Sequence, residues 1–119
     1  MRLLVSLLAC ICLEATASSA HAAFASGQDL LDGFIALTRI GTASAMSTDP
    51  SQAARVAGYV QGTIDSAVSA GIFCIKGKNL TLRNAEPVIT QYLSSNPSML
   101  KKPAVDAVVM ALHPTYKCD

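Results

Sequence analysis

The chain has 119 residues, with 9 Lys plus Arg against 8 Asp plus Glu, a formal net charge of +1 and 51% hydrophobic residues. A chain of this length supports one domain. So balanced a charge gives no support for binding nucleic acid or an anionic membrane surface, since both draw on concentrated positive charge.

The chain opens MRLLVSLLACICLEATASSAHAAF. Arg2 is a positive n-region, Leu3 to Leu13 form a short apolar run, and Ala20-His21-Ala22 is an A-x-A cleavage pattern. This predicts a signal peptide over residues 1–22, with a run too short to span a bilayer as a retained helix. Leu7 to Cys10 is a passable lipobox, but lipidation at Cys10 would leave apolar Ile11 to Leu13 at the mature start where a polar tether belongs. Cleavage after Ala22 removes Cys10 and Cys12 and leaves Cys74 and Cys118. Two cysteines in an exported chain most simply form one disulfide, because that compartment is oxidising. Arg2 and Glu14 also leave, so eight Lys plus Arg face seven Asp plus Glu in residues 23–119. A domain of this size buries only about two-thirds of its unfolded surface, so a covalent staple at its end is useful.

Four helices are predicted after the leader. The first covers about Gln28 to Ala45, with Leu30, Leu31, Phe34, Leu37 and Thr38 at helical spacing and Ser26 as N-cap ahead of Asp29. Gly33 and Gly41 weaken it toward its end. The second runs from about Pro50 to Ala70, with Asp49 as N-cap and Gly71 at the C-terminal cap. Its apolar face holds Ala53, Val56, Ala57, Val60, Ile64, Ala67 and Val68. Gly58 and Gly62, four apart, would let another helix approach closely, in the core more readily than at a dimer seam.

Phe73 to Thr81 is a loop with Lys76, Gly77 and Lys78 at its tip, and the apolar Ile72 to Ile75 is expected to pack there rather than pair as a strand. The third helix covers about Leu82 to Ser95. Pro87 is tolerated in a first turn, which favours Asn84 as the N-cap. Val88, Ile89, Tyr92 and Leu93 form its inner stripe, and Asn96 to Lys102 is a connector. The fourth helix runs from Pro103 to about Leu112, burying Val105, Val108, Val109 and Leu112, and Pro114 stops it. No alternating run predicts a sheet, and short connections between four helices point to an all-α, small four-helix bundle with one disulfide near the C-terminus.

The residues do not assemble a catalytic or metal motif. His113 stands alone after the leader, and its nearest nucleophile, Cys118, is expected to be oxidised. Asp65, Glu86 and Asp106 are scattered singly, without the second carboxylate that acid–base chemistry needs. Two cysteines and one histidine lack metal-ligand spacing, and no glycine loop would cradle a phosphate, so no cofactor is expected. Lys76/Lys78 and Lys101/Lys102 both lie in inter-helix connectors, where binding surfaces tend to be built. Lys76, Gly77, Lys78 and Asn79 form one candidate docking loop, and Ser98, Lys101 and Lys102 another. A binding protein is expected rather than an enzyme.

The order and spacing of Tyr59, Val60, Gly62, Phe73, Cys74, Thr81, Tyr92, Leu93, Pro97, Pro103, Ala104, Ala111, Leu112 and Cys118 resemble the Rap/Tai immunity family of type VI secretion systems. The resemblance covers about Ala57 to Cys118. It departs at the end, where Tyr116-Lys117-Cys118 replaces a frequent Phe-Pro-Cys, and in the first helix, which lacks the family's frequent extra cysteine. The resemblance implies a periplasmic helical protein, often a homodimer, that occludes the active-site cleft of a peptidoglycan-cleaving amidase effector. Any catalytic cysteine and histidine would then belong to the partner. A dimer through Gly58 and Gly62, or through the first helix, is compatible with the residues, and neither is compelled. The alternative is a stand-alone periplasmic helical protein, chaperone-like or structural, for which one histidine and balanced charge offer little pH response.

Overall fold

The computed structural model describes residues 26–119; the predicted signal peptide at residues 1–22 and Cys10 lie outside them. Four α-helices follow one another: α1 Gly27–Arg39, α2 Asp49–Ser69, α3 Leu82–Ser95 and α4 Ala104–Tyr116, with a 3-10 turn at Pro97–Lys101 between α3 and α4. Among the described residues there is no strand, only an isolated antiparallel bridge between Phe73 and Lys117. That bridge shows Phe73 pairing as well as packing.

The helix starts follow from local hydrogen bonding. At α1, Ser26 accepts from the Asp29 amide, and the Asp29 carboxylate accepts from the Ser26 amide at 3.1 Å. This reciprocal box satisfies two otherwise orphaned donors. The helix ends at Arg39, short of the predicted Ala45, because Gly41 takes a φ of +79° and the chain turns repeatedly through residues 40–48. Asp49 is not the predicted cap of α2 but its first helical residue, with its carboxylate turned to Arg39 instead. The far end of α2 closes as a Schellman motif: Gly71 has φ +73°, its N–H donates to Val68, and Ile72 N–H donates to Ala67.

α3 starts at Leu82 as expected, but its cap lies three residues before Asn84. Thr81, in extended backbone, accepts from the Asn84 amide at 3.3 Å, so Thr81 and not Asn84 is the cap. Pro87 therefore lies beyond the first turn, where it removes a single backbone donor that would have faced Arg83. α4 likewise runs through Pro114 to Tyr116 instead of stopping at Leu112. The chain past the proline is held by a Lys117 N–H bond to His113 and by the disulfide.

One core joins the four helices. Leu30 and Phe34 of α1, Val56, Val60 and Ile64 of α2, Ile89 and Leu93 of α3, and Val108 and Leu112 of α4 are essentially inaccessible. Each such side chain contributes roughly 1.5–3 kcal/mol through its removal from water. Two expected core residues are not in it: Val88 and Val105 are exposed, and Val109 is half-buried. The buried face of α4 instead steps through Ala104, Ala107, Val108, Ala111 and Leu112, and that of α3 through Ala85, Ile89 and Leu93. Small alanines at these positions bring the helices close, and the branched valines beside them turn outward.

The 96–102 connector is more than a link. Met99 is buried, Lys102 accepts from Gly27 N–H at 2.9 Å, and a Cβ at Gly27 would collide with the Met99 carbonyl. Gly27→Ala should therefore cost about 1–3 kcal/mol, read as a lower denaturant midpoint at unchanged slope.

Candidate functional site

Disulfide Cys74–Cys118 joins the α2–α3 loop to the end of α4 across a sequence separation of 44. Around it the loop is fixed on both sides. Phe73 is buried against Tyr116, with ring centres 6.5 Å apart, and Cys74 N–H donates to the Tyr116 carbonyl at 2.8 Å. Residues 75–78 then turn back, with Lys78 N–H on the Ile75 carbonyl and Gly77 at φ +74°, the positive φ that a type II turn requires at its third position.

Beyond the turn, Lys78 donates through Nζ to the Thr115 carbonyl at 2.6 Å and lies 6.0 Å from the centre of the Tyr116 ring. A cation there meets the exposed carbonyls at the negative end of α4. The Tyr116 hydroxyl and the Asn84 side chain, through Nδ2, both donate to the Asn79 carbonyl, at 3.2 and 3.1 Å. Lys76, Gly77, Lys78 and Asn79 are all exposed, so this candidate loop is ordered yet open to a partner. That combination lowers the entropy lost on binding.

The second predicted set lies elsewhere. Ser98, Lys101 and Lys102 are exposed in the connector between the C-terminus of α3 and the N-terminus of α4. The 14 residues of α3 separate that connector from the Lys76 loop, a span of about 20 Å at the rise of an α-helix. The two lysine pairs thus form two surfaces at opposite ends of the α3–α4 hairpin. Among the described residues, the ion pair found is Arg39–Asp49, so neither lysine pair is neutralised by a carboxylate at contact distance.

A third surface was only half legible. Gly58 and Gly62 do not pack into the core: both are exposed, and a Cβ on either would meet nothing within 4 Å. They line an open groove of about 530 Å³ with Tyr59, Thr63, Ala67, Ile72, Val105 and Val109. Burial pushes the Tyr59 phenol up from its ordinary range. The small residues at 58, 62, 66 and 70 signal this smooth ridge in the sequence, but nothing there reveals that Ile72 and Val105 would border it.

His113 is exposed and Cys118 is bonded to Cys74, so the sulfur is no thiolate nucleophile. Among the described residues, no group of three or more His, Cys, Asp or Glu is placed to hold a metal ion. A family model described as Rap1a immunity proteins matches residues 26–118. No curated protein and no solved structure matches the chain.

Proposed function

The chain belongs to the Rap1a immunity protein family, and from that premise we propose that it is a periplasmic immunity protein that binds a secreted peptidoglycan-cleaving amidase of a type VI system and covers its active site. The match across residues 26–118 carries this reading, since it spans the whole described helical domain. The family is generally non-enzymatic, so hydrolysis is the partner's chemistry. The A-x-A pattern at Ala20-His21-Ala22 supports export to the compartment where such an effector acts.

The Lys76–Asn79 loop is the better candidate for docking. It is exposed and covalently braced within two residues of its tip, whereas the Lys101–Lys102 connector has one face committed to α1. Immobilised residues 23–119, oxidised, should retain a single small cell-wall amidase from the secreted proteins of the same bacterium in stoichiometric amount. A broad set of unfolded clients in its place would support the chaperone-like alternative and sink this reading. Against that amidase, Lys76→Glu should weaken binding at least tenfold, or about 1.4 kcal/mol, with Lys101→Glu near neutral. The reverse ranking in a titration would move the interface to the other end.

A further inference from the structure

We propose that Cys74–Cys118 closes a local clasp, and that its reduction releases the Lys76–Asn79 loop while the helical core stays folded. As a control on docking this rests on the immunity reading; as a conformational device it does not. Outside its own turn, the polar anchors of the loop land mostly on residues 115–117 at the end of α4, the exceptions being the Phe73 N–H bond to Ala67 and the Asn84 side-chain bond to Asn79. Cys74 N–H and Lys78 Nζ donate to the carbonyls of Tyr116 and Thr115, and the Tyr116 hydroxyl donates back to Asn79. The bridge between Phe73 and Lys117 completes the set.

Those last residues are poorly held by their own helix. Pro114 lies inside α4 and provides no N–H for the carbonyl one turn before it. Beside the buried Tyr116 ring and the Lys117 N–H bond to His113, the covalent bond is what keeps residues 115–118 where the loop needs them. Cys74 is exposed, so a reductant can reach it. A dithiol would carry out the step by exchange: it passes two electrons to the S–S bond, becomes a disulfide itself, and leaves thiols on Cys74 and Cys118. The clasp would then be closed in an oxidising compartment and open in a reducing one.

The test is hydrogen exchange by mass spectrometry on the folded chain at low temperature, before and after reduction by a water-soluble phosphine. Each disulfide reduced converts one phosphine and one water to the phosphine oxide. At labelling times too short for global unfolding to expose the core, amides of residues 74–80 and 113–119 should exchange on the order of tenfold faster after reduction, with α1, α2 and the middle of α3 unchanged. The double substitution Cys74→Ser with Cys118→Ser should give the same map without reductant. Unchanged exchange in the loop would overturn the proposal, and so would a uniform rise through all four helices. Neither result depends on whether an amidase is ever recovered.

Discussion

Replacing both Cys74 and Cys118 with serine is expected to lower stability by about 4 kcal/mol, the chain-entropy value for opening a loop of this length. For a domain near 100 residues that corresponds to a fall in Tm on the order of 20 °C. The double variant is the informative one, because a single serine leaves an odd thiol able to form intermolecular disulfides. Its circular dichroism at low temperature should match the parent, because the buried faces of the four helices do not include either sulfur. The loss arises mainly in the unfolded ensemble, which regains the freedom that the bridge denied it. An unchanged Tm by scanning calorimetry would mean that the denatured chain is already compact over residues 74–118, and the entropy argument would fail for this protein.

The distinction between global stability and local order bears on docking. A variant that melts lower but still holds its core at 25 °C can lose the order of the Lys76–Asn79 loop without losing its helices. Binding assays at a temperature well below the melt would then report the loop alone. This separation is physical: the unfolded-state term acts on Tm, whereas the anchors at Thr115, Tyr116 and Lys117 act on the native loop.

The readable features of the sequence are the local ones and the cysteine pairing. Ser26 with Asp29, the apolar stripe from Ala53 to Ala67, and Gly71 past the end of α2 each declare themselves within one or two turns of chain. The cysteine pairing follows from setting aside the predicted leader and counting the cysteines that remain. Two helix boundaries differ because proline carries less weight than its chemistry suggests. At Pro87 and Pro114 a single missing donor predicts a helix boundary, but the Thr81 cap and the cross-links around Tyr116 hold the helices through both. The connector hid Met99, because five residues of 3-10 turn give no periodicity from which burial could be read.

The candidate site was legible only as a list of exposed residues. That Lys76 to Asn79 sit in a loop follows from Gly77 and the flanking charges. That Lys78 reaches Thr115, 37 positions away, depends on the packing of α4 against the loop. The same limit explains why Lys76/Lys78 and Lys101/Lys102 looked alike in sequence and fall about 20 Å apart in space, given the length of α3.

The other large effect expected is at Arg39, and it comes from a charge that sequence reading took for a cap. Asp49 is fully buried, and its carboxylate accepts from Arg39 at 2.9 Å and from the Met46 amide at 2.7 Å. It thereby ties the end of α1 and the exposed 40–48 turn to the start of α2. Arg39→Met keeps the stem but leaves the carboxylate in the interior with one amide donor. Removing one partner of a buried pair costs about 3–5 kcal/mol. The value here should fall near 3, because Arg39 is 30% exposed and its Nε already lacks a partner. Asp49→Asn in the same chain removes the stranded charge while keeping an acceptor for Met46, so the double variant should be more stable than Arg39→Met alone. A coupling of about 1–3 kcal/mol from the four denaturation curves would fit contacting partners. A coupling near zero would show that Asp49 is held by the backbone turn alone, and that the pair across α1 and α2 contributes nothing.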